Sequence, residues 1–297
     1  MAAVDIGSNA IRVHISNLLT TENKDEFKTL EYIRVPLRLG EDVFSIGEIS
    51  AEKIDKLEKL AQSLIYLFEI FKVSNYLCCA TSAMRESTNG LMVVNTIKSK
   101  TNFNIEIIDG AKEAELTNFG LQKYLSDGTW VHVDVGGGST EINVFKHRVK
   151  TASKSFRIGA VRMLMNENIE NEWKSLNDWL KNELKNEQNV TTIGTGGNIG
   201  KIHQMTGVNE ADPISINQIL VITGKISQYS TEDRIHILKL NPDRADVILP
   251  SSKIYLAVMG AIGSKIMYAP KIGLTDGMLA SLKIRNNNGP NIQAIIT

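Results

Sequence analysis

The chain has 297 residues, 42% of them hydrophobic and 22% charged, and its 33 basic side chains balance 33 acidic ones. A length of this order suits about two domains of roughly 100–200 residues each. The even charge excludes a polycation built to hold a nucleic-acid polymer or anionic lipid, so an anionic ligand is expected in a local site.

Met1-Ala2-Ala3 leads directly into an apolar strand with Val4 and Ile6, without the basic stretch that begins a secretory signal. The turn Gly7-Ser8-Asn9 separates it from a second strand in which Val13 and Ile15 alternate with polar residues, the pattern of a β-hairpin. Ile54, Leu57, Leu60, Ala61, Leu64, Ile65, Phe68 and Phe71 recur at helical spacing and predict an amphipathic helix with Ser50 as its N-cap. A short buried strand follows, Tyr76-Leu77-Cys78-Cys79-Ala80, whose adjacent cysteines read as reduced thiols and suit a cytoplasmic protein. Ile105-Glu106-Ile107-Ile108 is another strand, and Asp109-Gly110 turns it into a helix running to about Tyr124.

Ser126-Asp127-Gly128 breaks the pattern and divides the chain into domains 1–125 and 126–297. The second opens on Val133-Asp134-Val135-Gly136-Gly137-Gly138-Ser139-Thr140-Glu141-Ile142. This segment can be laid over Val4 to Val13 and repeats the strand, tight turn and strand. The basic residues Lys146, His147, Arg148, Lys150, Lys154 and Arg157 read as a solvated hairpin face. A helix over 173–184, a strand over 190–193, the turn Gly194-Thr195-Gly196-Gly197-Asn198 and several helices between 215 and 269 complete this half. The stretch 254–269 contains Lys265 and is too short to span a bilayer, so no membrane partner is expected. A last helix, placed after Gly277, is expected to pack back on the first domain, and Asn286-Asn287-Asn288-Gly289-Pro290 reads as a loose turn. Strands alternating with helices, and a duplicated hairpin, define two related α/β domains facing each other.

Three turns of small residues each follow a strand: Gly7, Ser8 and Asn9; Gly136, Gly137, Gly138 and Ser139; and Gly196 with Gly197. Glycine lets the backbone approach a ligand and turn its N–H groups inward, and such amide nests bind phosphate oxygens. Asp5 and Asp134 each close a strand just before a turn, with Glu141 just beyond the second. A carboxylate beside phosphate calls for a cation, and Mg²⁺ or Mn²⁺, oxygen-seeking and content to keep waters, is the natural one. The other reading is that each Asp caps its own turn.

Five segments together resemble the exopolyphosphatase / guanosine pentaphosphate phosphohydrolase family of the actin-like ATPase superfamily. They are Val4-Asp5-Ile6-Gly7-Ser8-Asn9; Ala80-Thr81-Ser82-Ala83-Met84-Arg85; the 108–120 segment with Glu113-Ala114; Asp134-Val135-Gly136-Gly137-Gly138-Ser139-Thr140-Glu141; and Ile193-Gly194-Thr195-Gly196-Gly197. Val35-Pro36-Leu37-Arg38-Leu39-Gly40, Gly159-Ala160-Val161-Arg162, Arg244-Ala245-Asp246 and Gly273-Leu274-Thr275-Asp276-Gly277 add weaker support. The resemblance implies two duplicated actin-like (ribonuclease H-like) α/β domains with an interdomain cleft, in the short two-domain form. It implies that Glu113 activates the attacking water and that Arg85 contacts phosphate. Asp134 and Glu141 would surround the metal, and the glycines with Ser139 would line the phosphate loops. The substrate would be polyphosphate or a guanosine polyphosphate. A homodimer is left open.

The segment departs from the family in two places beside Glu113: Lys112 stands where an acidic residue is usual, and Glu115 where an arginine is. That keeps two alternatives open, a module that senses guanosine tetra- or pentaphosphate without turnover and an actin-fold kinase or ATPase. Leu116 and Phe119 are expected to share the helical face of Glu113, leaving a partly solvated carboxylate suited to act as a base.

Overall fold

The computed structural model describes residues 1–20, 25–165 and 169–287. Two compact units result, Met1–Leu121 with Gly273–Thr297, and Gln122–Ile272. The first contains strands β1 (Ala2–Ile6), β2 (Ile11–Thr20) and β3 (Asp25–Val35), then helices α1 (Leu39–Ile46) and α2 (Ala51–Ile70). Strand β4 (Tyr76–Ala80), helices α3 (Ser82–Glu86) and α4 (Gly90–Thr101), strand β5 (Glu106–Ile107) and helix α5 (Gly110–Leu121) follow. The second unit starts with β6 (Thr129–Val135), β7 (Thr140–Lys146) and β8 (Val149–Phe156), then α6 (Ala160–Leu164), α7 (Glu170–Glu183), β9 (Thr191–Thr195) and α8 (Gly197–Thr206). It continues through β10 (Ile214–Ser215), α9 (Ile216–Ser227), α10 (Thr231–His236), α11 (Pro242–Ala245), α12 (Ile248–Ala261) and β11 (Ile266–Tyr268). Helix α13 (Leu274–Asn287) returns to the first unit.

The first sheet runs β3-β2-β1-β4-β5. Its hairpin strands β1, β2 and β3 are antiparallel, and β4 and β5 lie parallel to β1. The second sheet runs β10-β11-β9-β6-β7-β8. Read from β8 it repeats the same order and the same strand senses, with β10 added at the far edge. The duplication expected from two Asp-Gly turns is therefore present in the sheets themselves. This is the ribonuclease H-like arrangement, used twice.

Parallel strands covered on both faces read as continuous apolar runs, and every residue of β1 is buried. One face of the first sheet packs Val4, Ile6, Val13 and Cys78 among residues of α2 and α4 such as Leu57, Leu64 and Val93. The other face packs Ala3, Leu77 and Cys79 against Leu116 of α5 and Met278 and Leu282 of α13. Ser50 caps α2 as expected, its side chain accepting from the Lys53 N–H. Cys78 and Cys79 are buried, and burial pushes the Cys79 thiol up to about 12 and Cys78 well above its ordinary value. Both stay protonated and unreactive.

Two expectations need correction. The last helix begins at Leu274, before Gly277, and continues through Asn286 and Asn287, which were expected in a turn; Asn288, Gly289 and Pro290 lie outside the described residues. Glycine ordinarily weakens a helix interior, which is why Gly277 suggested a boundary. Here its missing side chain is a packing requirement, because a Cβ at Gly277 would stand 1.8 Å from the Leu116 carbonyl oxygen of α5. Among the described residues no helix is long and apolar enough to cross a membrane.

Gly277→Ala should lower stability by about 1–3 kcal/mol, the usual cost of overpacking, read from the urea midpoint. Gly224→Ala is the matched control, since a Cβ there meets nothing within 4 Å. It should leave stability unchanged or raise it by up to about 1 kcal/mol through helix propensity.

Candidate active site

In the first unit, β1 ends at Asp5 and Ile6 and the hairpin closes through Gly7 N–H to the Ala10 carbonyl at 3.3 Å. The Ser8 hydroxyl lies 2.8 Å from that of Ser82. The segment leading into α1 reaches over this turn. Arg38 N–H donates to the Asn9 carbonyl at 2.9 Å and Gly40 N–H to the Ser8 carbonyl at 2.7 Å. Arg38 adopts a left-handed conformation, φ 54°, to do so. Lys53 Nζ braces it, donating to the Arg38 carbonyl and to Asp42 Oδ1, each at 2.6 Å. Gly40 allows the close approach, since a Cβ there would lie 2.9 Å from Ser8 Cβ.

The second unit repeats the device. Ala160 N–H donates to the Gly136 carbonyl at 3.0 Å, Val161 N–H to Gly137 at 2.8 Å, and Arg162 Nε to Gly138 at 2.8 Å. Gly159 makes room, because a Cβ there would fall 2.3 Å from the Gly137 carbonyl oxygen. The geometry of the trans peptide then sets the other side of the turn. A carbonyl and the N–H that follows it point in opposite directions, and no cis bond occurs among the described residues. With the carbonyls of residues 136, 137 and 138 directed at α6, the N–H groups of Gly137, Gly138 and Ser139 point away from it. In the first unit the same reasoning turns the N–H groups of Asn9 and Ala10 away from α1.

The third turn joins β9 to α8. Gly196 has φ 111°, a conformation favouring glycine, and a Cβ on it would lie 3.5 Å from Asp134 Oδ1. The Tyr255 hydroxyl donates to the Thr195 carbonyl. Gly197 lies under the Arg244 guanidinium, whose Nη2 a Cβ would meet at 2.7 Å.

The carboxylates differ between the units. Asp5 faces Arg12 across the hairpin, and its Oδ2 accepts from Arg12 Nη1 at 2.5 Å. At the matching rung Asp134 faces Glu141. Glu141 is buried, and its Oε1 accepts from Ser139 at 2.7 Å and Ser155 at 2.8 Å. Asp134 is half-buried. Among the described residues no three His, Cys, Asp or Glu side chains group as a complete metal cage. One or two carboxylates suit Mg²⁺, which keeps several waters and takes substrate phosphate oxygens as its remaining ligands. The donor set is all oxygen, so it fits that ion and does not resemble a zinc site.

Arg85 and Glu113 stand at the C-terminal ends of neighbouring parallel strands, where open α/β sheets bind ligands. Arg85 follows β4 on α3, and its Nη1 donates to the Ile108 carbonyl at 2.8 Å. The same nitrogen lies 3.6 Å from Glu113 Oε2. Glu113 sits in the first turn of α5, which Asp109 caps through the Lys112 N–H at 2.8 Å. Lys112 and Glu115, the two departures from the family pattern, pair with each other at 3.0 Å. Leu116 is buried as expected, whereas Phe119 is 40% exposed and does not form an apolar wall for Glu113. Residues 113, 116 and 117 face inward at helical spacing, and 119 falls outside that stripe.

The basic hairpin behaves as a solvated face: Lys146 pairs with Glu187 at 2.9 Å and Lys154 reaches Ser175 at 3.2 Å. Sequence reading gave no role to Arg12, Lys53 or Tyr255. Strand register would have revealed Arg12, whereas the partners of Lys53 and Tyr255 are set by tertiary contacts.

Two sheets of one topology, each ending its first strand in an aspartate and a braced turn of small residues, define a duplicated ribonuclease H-like α/β protein. Residues 19–285 match the profile of the Ppx/GppA phosphatase family, and the chain belongs to that family. A bifunctional 3-dehydroquinate synthase/phosphatase of Fusobacterium nucleatum is 27% identical over 293 residues, which cover 88% of this chain but 43% of that protein. Exopolyphosphatase 1 of Mycobacterium leprae is 21% identical, covering 94% of this chain and 88% of that one. The crystal structure of an exopolyphosphatase from Cytophaga hutchinsonii superposes with a TM-score of 0.83 at 20% identity, over 95% of this chain and 96% of that one, which is a likeness of fold.

Gly159→Ala tests the brace directly. Its Cβ collides with backbone, so about 1–3 kcal/mol of stability should be lost and the 136–139 turn should shift, visible as altered amide chemical shifts for Gly137 and Gly138.

Proposed function

We propose that the chain is a phosphohydrolase that removes the terminal phosphate from inorganic polyphosphate or guanosine pentaphosphate. The observation that carries this reading is the Arg85–Glu113 pair at 3.6 Å, at the strand ends of a Ppx/GppA-family fold. Phosphoanhydride hydrolysis needs an in-line water and neutralised oxygens, and little else. Glu113 accepts the proton of the attacking water as its oxygen bonds the terminal phosphorus and the bridging P–O bond breaks. Arg85 holds non-bridging oxygens, for which its planar fork is suited. The N–H groups of Gly7 and Gly136 close their own hairpins, so the outward N–H groups of Asn9 and Ala10 in the turn of Gly7, Ser8 and Asn9, and of Gly137, Gly138 and Ser139 in the second turn, take phosphate oxygens, while Gly196 and Gly197 let the substrate approach α8.

Asp134 and Glu141 would hold Mg²⁺ or Mn²⁺, which when bound would supply charge neutralisation on the phosphate. Asp5 was expected to join them, but its carboxylate is engaged by Arg12. We assign the metal to the second-unit pair and give Asp5 the task of holding Arg12. A sensing module without turnover was suggested by Lys112 and Glu115. Their mutual ion pair cancels the two charges locally, and nothing else favours that reading.

Phosphate release should be measured with polyphosphate of defined length, guanosine pentaphosphate and ATP; release from ATP alone would contradict the assignment. Glu113→Gln should cut turnover about 10²–10⁴-fold with an unchanged unfolding midpoint, and near-normal turnover would remove Glu113 from the mechanism. Excess chelator should abolish release and added Mg²⁺ restore it; full activity in chelator would sink the metal assignment.

A further inference from the structure

Below the Asp134–Glu141 rung the second sheet carries another polar rung. Side chains two apart on a strand share a face, so His132 lies on the face of Asp134, and the partners of His132 and Asp134 on β7, Asn143 and Glu141, share it too. On β8 the series continues as Ser153 opposite Asn143 and Ser155 opposite Glu141. Thr195 of β9 stands opposite Asp134. His132, Asn143 and Thr195 are each fully buried.

The hydrogen bonds of the lower rung have one direction. Ser153 donates to Asn143 Oδ1 at 2.8 Å, which turns the amide nitrogen of Asn143 to His132 Nδ1 at 2.9 Å. An amide NH₂ can only donate, so Nδ1 accepts and the ring proton sits on Nε2. That proton goes to Thr195 Oγ1 at 2.8 Å. Having accepted there, the Thr195 hydroxyl is left with its own proton to donate, and Thr195 shares a rung with Asp134. The Thr195 carbonyl is taken by Tyr255, and Gly196 follows at once. The opposite face of β6 already supplies Val131, Val133 and Val135 to the core. A buried polar string is costly unless fully bonded, and this one runs across four strands to a single threonine.

We propose that His132 is a positioning residue: by donating to Thr195 Oγ1 it turns the threonine hydroxyl toward Asp134 and fixes that carboxylate for a divalent cation. The inference rests on the metal role given to Asp134 above. Groups that orient a metal-ligating side chain cost about 10–100-fold in metal affinity when removed.

Mn²⁺ titrated into the full chain without substrate, followed by electron paramagnetic resonance, tests this. In His132→Gln the amide nitrogen can occupy the Nε2 position and still donate to Thr195. In His132→Asn the shorter side chain reaches only Asn143. Mn²⁺ affinity should fall about 10–100-fold in His132→Asn and stay within a few-fold of the parent in His132→Gln. Thr195→Val, which keeps the shape and removes the hydroxyl, should match His132→Asn, and the double variant should lose no more than either alone, the sign of one shared path. Unfolding midpoints identify any variant that fails to fold, in which case Thr195→Val decides. Equal affinities for the Asn and Gln variants, or parent-like binding by Thr195→Val, overturn the positioning role. Phosphate release by the parent chain, assayed alongside, separates the two levels: a parent that hydrolyses polyphosphate but binds no Mn²⁺ overturns this inference and the metal assignment while leaving the hydrolase reading standing, and a parent that does neither overturns all three.

Discussion

Every buried backbone carbonyl needs a donor, and the glycine turns meet that need in a way that shapes the rest of the site. Their carbonyls are taken by the segments entering α1 and α6. Because each peptide is planar and trans, saturating the carbonyls on one side commits the following N–H groups to the other. The outward aim of the turn's N–H groups is thus a consequence of how its opposite side is satisfied. The cost falls on the bracing segments. Arg38 accepts a left-handed backbone, which Lys53 holds through its carbonyl, and Gly40 and Gly159 give up side chains so that two stretches of backbone can touch.

The two copies of this device have diverged where charge matters. On the first sheet the rung beside the turn pairs Asp5 with Arg12; on the second, the equivalent rung sets Asp134 against Glu141. An internal ion pair brings its own compensation, whereas two acids in one rung create a local demand for positive charge. Ser139 and Ser155 both donate to Glu141. The same scaffold therefore carries an acid–base pair at one register position and two acids at the equivalent one, Arg12 standing where the second unit has Glu141.

That distinction explains which features could be read from the chain. The hairpins, α2 with its Ser50 cap and the short strand of the two cysteines follow local rules of periodicity and capping, and each was legible. The duplication was legible because turn residues repeat with their flanking strands. The braces were not, because the partners of Ser8 and Asn9 lie about thirty positions on, and those of Gly136 and Gly137 more than twenty, with no pattern joining them. Gly277 misled for a related reason: glycine marks a helix end when only the chain is considered, and a close helix contact when α5 is. Phe119 was placed by a generous helical face that Leu116 and Thr117 fill without it. The Lys112–Glu115 pair needs only i,i+3 spacing on a helix, so it is legible in the sequence.

The Arg85–Glu113 contact combines two requirements that pull against each other. In the roles proposed above, a carboxylate that is to take a proton from water must keep an oxygen available, and a guanidinium that is to hold phosphate must keep donors available. A bidentate salt bridge would consume both. Here the guanidinium is anchored elsewhere, on the Ile108 carbonyl, and the carboxylate is carried by a helix start that Asp109 caps. Each group is positioned by backbone, so they need not hold each other, and their separation of 3.6 Å exceeds a hydrogen bond while keeping the charges adjacent. The strand ends of β4 and β5 set that distance. The guanidinium is thus oriented by a neutral carbonyl as well as by its carboxylate partner, and its direction does not depend on the ion pair alone.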